Sequence, residues 1–552
     1  MTPVTKTCAT SGKEFVITDE DQKMLEKLGM PLPTLCPEER QRRRMAFRND
    51  HHLYHRKCSK TDKQIISLYD VDSKFTVYNQ DLFWSDEWNP IDYGRDFDFS
   101  RPFFEQFAEL QAATPRLAIN GIGNENSEYT SYAGWCRNCY LMFTSDRNED
   151  CYFGAYSFDN EDCVDILFVE DSELCYECTD CKKCYHCQYG FNLENCTDCV
   201  FCRDCIGCSD CFGCSGQRNK TYCFFNEQLS QEEYKVRLAK WNLASYAVCE
   251  KARKQVFEFQ LGFPRRQLDV KGCENVTGDH IKFSQNIHHG YDVFNCQDCR
   301  YVSHFMGSKD CMDWDYYGDG SEMGYENCST TGLKFSAFVT NSWGGNDNLL
   351  YCDLMMNGNS ECFGCIGLKG KKHCILNKQY TEEKYETLKA NIIEHMKSSG
   401  EWGEFFPMTL SPHAYNETVA QDYLPLAQKE AEARGLRWKD PKEKASYESA
   451  AVALPDTADE ADESICKQIY SCEISGEHYK IIPQELAFYK KHGLPLPRRS
   501  PNQRYLDRMA LRNPRFGWER PCGKCSKKMY SSYAPDRPEI VYCEECYMAE
   551  IY

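Results

Sequence analysis

Small residues recur at every third position through the middle of the chain. Two runs of cysteine keep this spacing, at Cys175, Cys178, Cys181, Cys184 and Cys187 and at Cys196, Cys199, Cys202, Cys205, Cys208, Cys211 and Cys214. Adding 21 to any member of the first run gives a cysteine of the second. Small residues at a fixed step predict stacked coils of a parallel β-solenoid, here with a repeat near 21 residues and with thiols filling a narrow interior.

The three-residue spacing does not suit a long straight strand, in which side chains alternate with a period of two. It suits short strands broken by corners. A rival interpretation is a thiolate cluster that binds several metal ions, as successive CxxC steps do in some iron–sulfur and zinc proteins. The solenoid is favoured because a second copy of the region keeps the pattern with far fewer cysteines.

That second copy begins 151 residues downstream. Cys211-Phe212-Gly213-Cys214 recurs as Cys362-Phe363-Gly364-Cys365, followed by matching Gly, Lys, Cys, Asn, Gln and Tyr positions. The pattern predicts two similar right-handed solenoids over residues 121–229 and 272–380. Each should be followed by a capping helix. One helix should begin at Ser230, where Glu233 completes a capping box, and the other at Thr381.

The two ends of the chain are also copies of one module. Residues 8–84 align with 472–548 without a gap, with 25 identities in 77 positions. The predicted fold is therefore mainly β, with two tandem parallel β-solenoid units, each followed by a helix, between two duplicated zinc-ribbon-like α+β modules (A–B–B′–A′). The predicted domains are a degenerate zinc-ribbon-like module (1–84), a connector (85–120), solenoid unit 1 with its helix (121–260), solenoid unit 2 with its helix (261–400), a connector and acidic linker (401–465), and a zinc-ribbon module (466–552).

Composition narrows the setting. The chain has 552 residues, 36 of them cysteine, and a mean hydropathy of −0.65, with no apolar run long enough for a membrane span. No secretory signal opens the chain, so we expect a cytoplasmic protein whose thiols are reduced or bind metal. The net charge is −19. Residues 144–210 hold 16 acidic and 4 basic side chains, whereas residues 498–528 hold 2 and 10.

The strongest chemical motif lies in the last module. Cys522-Gly523-Lys524-Cys525 is followed seventeen residues later by Cys543-Glu544-Glu545-Cys546. Two CxxC pairs at this separation can present four thiolates tetrahedrally to Zn²⁺. Because all four ligands come from the protein, no position is left for water or substrate. The motif predicts a structural rather than a catalytic zinc ion.

The N-terminal module has lost the same motif. Its matching positions are Cys58, Thr61, Asn79 and Leu82, so we expect this half to be metal-free. In the first half of the module, Cys8 and Cys36 each belong to a pair whose second thiol is replaced. A second zinc ion there would need ligands from Glu39 or from His51, His52 or His55. A small ribbon held by aromatic packing is the favoured alternative.

Both modules carry arginines four residues apart. Arg40, Arg44 and Arg48 match Arg504, Arg508 and Arg512, and on a helix this spacing places each trio along one face. Guanidinium groups in a row suit phosphate oxygens, which predicts a nucleic-acid-binding surface. In a competing interpretation the arginines pair with acidic surface on the solenoids and hold the ends against the middle.

Certain runs resemble known sequences. The run Cys-x-x-Ser-Gly-Lys-Glu-Phe from Cys8, then Gly-x-Pro-x-Pro from Gly29, then Cys36-Pro37 and its arginines, is similar to small bacterial probable zinc-ribbon domains, which carry a full CxxC in each place. The whole chain, with DFDFSRPFFEQF (96–107), SELCYE (172–177), CFGC (211–214), ILNKQY (375–380) and GEWGEFFP (400–407), resembles a Cys-rich zinc-ribbon family widespread in candidate-phyla (Patescibacteria) bacteria. The resemblance implies zinc but no particular activity.

These features leave three functional hypotheses open. The leading one is a non-enzymatic cytosolic scaffold that contacts RNA or a ribonucleoprotein through the arginine trios. The second is a Cys-rich metal-handling or redox protein. The third is a protein–protein adaptor whose acidic solenoids bind a basic partner. None of them involves a membrane, and none fixes the oligomeric state.

Overall fold

The computed structural model describes residues 1–274, 276–284, 287, 290–294, 296–297, 308–315, 322–330, 332–440 and 453–551. Two compact units can be distinguished. Residues 1–119 and 268–440 form one, called here the N-terminal unit, and residues 120–267 and 441–552 form the C-terminal unit. Each unit therefore combines one terminal module with the solenoid region that is farther from it along the chain. Of the predicted acidic linker, residues 441–452 lie outside the described residues.

A β-solenoid of about 18 turns occupies residues 121–375. Its coil is 12 residues long, because parallel bridges join Glu149 to Glu161, Glu161 to Glu173 and Glu173 to Tyr185. The predicted repeat of 21 residues is wrong. Both 12 and 21 are multiples of three, so a three-residue cysteine spacing fits either step. The coil closes after four triplets instead of seven.

Each triplet forms one side of a four-sided coil. Every third residue adopts a left-handed backbone, as at Asp159, Asp162, Asp165, Phe168 and Asp171, where φ lies between 49° and 57°. This conformation turns the chain at each corner, and Asn, Asp and Gly tolerate it better than other residues do. Short strands broken by corners are therefore confirmed, and the frequent Asp, Asn and Gly beside the cysteines supply the corners.

The thiols line the inside of the coils. Cys163, Cys175, Cys187 and Cys199 occupy the same position on successive coils, and each is 0% exposed. Their Sγ atoms donate to backbone carbonyls, for example from Cys163 to Glu161 O at 3.2 Å. Burial raises the pKa of the Cys163 thiol well above its ordinary value. Along this row the cysteines act as small, protonated core residues.

The strands of the solenoid are short and mostly parallel. In the C-terminal unit they are Gly121–Ile122, Ala133–Gly134, Tyr140–Phe143, Tyr152–Ala155, Thr197–Val200, Ser209–Phe212, Cys223–Phe224 and Glu227–Gln228. In the N-terminal unit they are Val270–Lys271, Gly278–Lys282, Gly290–Phe294, Cys296–Gln297, Ser308–Cys311, Glu322–Tyr325, Ser329–Thr330, Leu333–Val339, Asn341–Ser342, Asn346–Cys352, Ser360–Phe363, Lys372–Ile375 and Lys378–Gln379.

The two predicted capping helices are confirmed. Helix Gln231–Leu238 begins after Ser230, whose hydroxyl accepts from the backbone of Glu233 in a capping box. Helix Glu382–Ser399 begins after Thr381. The other helices outside the terminal modules are Phe103–Ala113, Tyr246–Gln260, Val419–Tyr423 and Gln428–Ala433, with 3₁₀ turns at Pro90–Tyr93, Met408–Leu410, Tyr415–Glu417, Ala458–Glu460 and Glu463–Lys467.

Both terminal modules have the same order of elements: a hairpin, two helices, a second hairpin, a strand and a helix. In the N-terminal module these are Val4–Thr7, Glu14–Ile17, Asp19–Lys27, Pro37–Met45, Tyr54–Lys57, Gln64–Ser67, Val77–Tyr78 and Gln80–Trp84. In the C-terminal module they are Tyr470–Ser471, His478–Tyr479, Pro483–His492, Pro501–Leu511, Trp518–Pro521, Lys528–Ser531, Val541–Tyr542 and Glu544–Ile551. The arginine trio of each module lies on or directly after its second helix.

Candidate metal centre and arginine clusters

Four cysteines converge at one edge of the C-terminal module. The turn between strands Trp518–Pro521 and Lys528–Ser531 carries Cys522 and Cys525, while Cys543 and Cys546 lie at the start of the last helix. All four Sγ atoms lie within 4.8 Å of one another. The Sγ atoms of Cys525 and Cys543 are 3.8 Å apart. A tetrahedral ion with metal–sulfur bonds of about 2.3 Å requires roughly this separation.

The backbone around Cys522 favours its thiolate. Burial alone raises the pKa of this thiol, but backbone N–H groups outweigh that effect and lower the pKa to about 6. Two of these donors are the N–H of Lys524, at 3.4 Å from Sγ, and that of Cys543, at 3.3 Å. Metal binding requires deprotonated thiols, so the turn prepares one ligand in advance. The group can hold a metal ion.

The structure brings no second set of ligands together. Among the described residues, the C-terminal cysteines are the only group of three or more Cys, His, Asp or Glu side chains whose ligand atoms converge in this way. At the matching position in the N-terminal module, Cys58 donates to Asn79 Oδ1 at 3.3 Å. A hydrogen bond therefore joins the two segments that the four cysteines join in the other copy.

Cys8 and Cys36 also lack further ligands among the described residues. The Sγ atom of Cys36 lies 3.7 Å from Ser11 Oγ, the residue that replaces the second thiol of the Cys8 pair. Glu39, the nearest candidate ligand in sequence, instead pairs with Arg42 at 3.4 Å and Arg434 at 3.0 Å. The residues around these two cysteines form a small hydrogen-bonded and ionic cluster, and a second zinc ion there finds no support.

The N-terminal arginine trio is buried. Arg40, Arg44 and Arg48 are 2%, 0% and 2% exposed. Arg40 grips Asp313 with two hydrogen bonds, from Nε at 2.7 Å and from Nη2 at 3.1 Å. Arg44 pairs with Asp315. Arg48 pairs with Asp50 of its own module at 2.6 Å. Two of the three arginines thus tie the module to carboxylates of the second solenoid.

The C-terminal trio is buried against the first solenoid in the same way. Arg504 and Arg508 both donate to Asp165, which is 0% exposed, the second of them at 2.9 Å. Arg512 donates to Asp180 at 2.9 Å. Asp165 and Asp180 both occupy left-handed corners of the solenoid. Burial raises the pKa of the Asp165 carboxyl even though two guanidinium groups act against that rise.

The exposed phosphate-binding face predicted from the arginine spacing is not found. None of the six arginines is more than 8% exposed. Guanidinium groups that are buried and already donate to carboxylates cannot reach a nucleic-acid backbone unless the modules detach. The contacts are those of the competing interpretation, in which the arginines hold the ends against the solenoids. Sequence reasoning did not identify their partners, which are Asp165, Asp180, Glu485, Asp313, Asp315 and Glu326.

Comparison with known proteins adds no relative: neither family models nor curated proteins nor solved structures gave a match to this chain. Within the described ranges, none of the helices combines the length and the apolar character that crossing a bilayer requires. Function must therefore be inferred from the surfaces and sites of the chain itself.

Proposed function

We propose that the chain is a non-enzymatic binding scaffold, stabilised by one zinc ion, that uses an acidic face of its first solenoid to bind a basic segment of a protein partner. The observation that carries the proposal is a row of carboxylates on successive coils. Glu149, Glu161 and Glu173 bridge one another in sequence order. At the adjoining corners lie Asp150 and Asp162.

This row costs the fold stability. Adjacent coils are separated by about 4.8 Å, and like charges directly opposite one another on neighbouring strands repel. Later coils place Thr197, Ser209 and Thr221 in the same row, so the fold does not require charge there. Glu161 and Glu173 are both exposed. A basic partner would relieve the repulsion, which is a reason for a solenoid to keep such a row.

The RNA hypothesis has lost the observation on which it rested, because the arginine trios are buried against the solenoids. The remaining charge in this region favours a cationic partner. Residues 144–210 hold 12 more acidic than basic side chains, and a phosphate backbone would be repelled by such a surface. A lysine- and arginine-rich protein segment has the complementary charge. RNA binding is therefore kept as an outcome of the experiment.

Zinc fits the cysteine group best. Four thiolates at tetrahedral separation favour a soft or borderline ion over Mg²⁺ or Ca²⁺. The set is closed, since it contains four protein ligands, and this suits a structural ion. The resemblance of the module to zinc-ribbon sequences supports the same choice. Bound zinc would join the hairpin to the last helix, and so hold together the module whose arginines dock on the solenoid.

The acidic face can be tested with a fluorescein-labelled decapeptide of alternating lysine and arginine. We expect binding at low salt that weakens as salt rises. Replacing Glu149, Glu161 and Glu173 with glutamine should weaken binding by roughly thirtyfold, as expected if each exposed ion pair contributes somewhat under 1 kcal/mol.

The matched control replaces Glu382, Glu383 and Glu386 on the helix after the second solenoid, which removes the same charge from another exposed surface. This variant should bind the peptide as the wild type does. Equal weakening in both variants would mean that only net charge matters. Binding of a labelled 20-nucleotide RNA by the wild type, with no binding of the peptide, would reject the proposal in favour of a nucleic-acid partner.

A further inference from the structure

The C-terminal unit contains a cavity of about 310 Å³ beside the arginine trio. It is lined by the outer side of the first solenoid, helix Tyr246–Gln260 and the second helix of the C-terminal module. The solenoid contributes an aromatic wall. Tyr189 and Phe201 lie 12 residues apart on successive coils, and their rings are nearly parallel with centroids 4.3 Å apart. Phe257, 54% exposed, also lines the cavity.

Arginine dominates the polar part of the lining. Six arginines line the cavity, against three acidic residues. The acidic residues are neutralised locally: Glu177 pairs with Arg253 at 2.8 Å, and Asp507 pairs with Arg499 at 2.8 Å. The third, Glu250, pairs with Arg253 at 3.2 Å. These carboxylates therefore do not make the cavity negative.

Arg498 has a different environment. Its guanidinium lies over the ring of Tyr246, 4.3 Å from the centroid, and its Nη2 donates to Leu454 O at 3.5 Å. In the part of the chain that the structure describes, no carboxylate lies within 4.0 Å of this side chain. Arg203 stacks on Phe191 at 3.8 Å, and its nearest carboxylate, Asp204, is shared with Arg265 at 3.6 Å to each. Both sites carry uncompensated positive charge.

Four buried donors at the cavity also lack acceptors. The Nε atoms of Arg203, Arg498, Arg504 and Arg508 are buried and have no hydrogen-bond partner among the described residues. Arg504 and Arg508 are each only 4% exposed. Buried N–H groups are nearly always paired in native proteins, so four such donors around one cavity point to an acceptor that occupies it.

We infer that this cavity binds a nucleoside monophosphate. A phosphate group offers three strong acceptor oxygens and nearly two negative charges, which matches several arginine donors better than the two oxygens of a carboxylate. The parallel rings of Tyr189 and Phe201, and the guanidinium planes that lie over aromatic rings, suit a flat base. The volume is at the lower end of the range for small-molecule sites, which suits one nucleotide rather than a dinucleotide. The inference does not depend on the acidic-face proposal, since the two surfaces share no residue.

The test is isothermal titration calorimetry on the zinc-loaded full chain with AMP, GMP, CMP and UMP, and with adenosine and inorganic phosphate for comparison. At least one monophosphate should bind, more tightly than either adenosine or phosphate. Arg498→Gln should weaken that binding at least tenfold. Ala510→Phe, which introduces a ring at the cavity wall, should abolish it. Arg237→Gln removes an exposed arginine of the same unit that pairs with Glu227 and should have no effect.

Three outcomes would overturn the inference. One is that none of the four monophosphates binds at millimolar concentration to protein that is folded by circular dichroism. Another is that inorganic phosphate binds as tightly as the best monophosphate, which would mean an adventitious ion only. The third is that Arg498→Gln and Arg237→Gln weaken binding equally, which would place the ligand elsewhere. If Ala510→Phe disturbs folding, Arg498→Gln at the partly exposed rim still decides the result.

Discussion

Replacing Cys522 by serine should remove one zinc equivalent per chain and unfold the C-terminal module. The module has a small core of its own around Met529, Tyr533 and Val541. Such a core cannot hold two hairpins and a helix without a staple. Structural zinc sites contribute about 10–16 kcal/mol of apparent binding free energy in small zinc-dependent domains, so the loss should exceed any other single change in this unit. Metal analysis and proteolysis of residues 466–552 measure both effects.

The matched control is Cys58→Ser. Cys58 aligns with Cys522, but its partner is the side chain of Asn79 in place of a metal site. Zinc content should be unchanged in this variant. If Cys522→Ser keeps its zinc, or if both variants lose it equally, the ion is not held by the four C-terminal cysteines.

Replacing Asp165 by asparagine should destabilise the C-terminal unit by about 3–5 kcal/mol, the usual cost of breaking a buried ion pair from one side. Arg504 and Arg508 would lose the carboxylate that they share, and both guanidinium groups would remain buried. The backbone is not the cause of the expected loss, because asparagine tolerates the left-handed conformation that Asp165 adopts, with φ of 57°. Urea unfolding followed by circular dichroism measures the change.

Asp171→Asn is the matched control for this prediction. Asp171 occupies another left-handed corner of the same solenoid, with φ of 49°, but is exposed. The change should alter the free energy of unfolding by less than about 0.5 kcal/mol. Equal unfolding midpoints for the two variants would mean that Asp165 does not hold the C-terminal module.

The solenoid could be predicted from the sequence, but the length of its coil could not. A cysteine at every third position indicates a triplet, and the triplet is the real unit of the fold. The number of triplets in a coil depends on which rows stack, and dense cysteine makes many steps look alike. Asp and Asn carry additional information: residues 159, 162, 165 and 171 are all Asp, each at a corner. A search for corner residues together with inward residues would have favoured 12.

The metal site and the arginine trios show a similar contrast. The four cysteines come from two local motifs, so their spacing alone predicts that they converge. The arginine trios are equally regular, but a row of arginines on a helix suits phosphate or carboxylate partners equally well. The deciding residues, Asp313 for Arg40 and Asp165 for Arg504, lie 273 and 339 residues away. No local pattern indicates such a pairing, nor the docking of each module on the more distant solenoid.

If the arginine trios tie the terminal modules to the solenoids, phenylglyoxal should modify them slowly in the native protein. The most direct measurement is mass-spectrometric footprinting of the folded full chain, with the exposed Arg237 as an internal reference. We predict that Arg504, Arg508 and Arg512 are modified far more slowly than Arg237, and that all four react at similar rates in urea. Modification of the trio at the rate of Arg237 in the native protein would show that these arginines face solvent, and would restore them as candidates for binding nucleic acid.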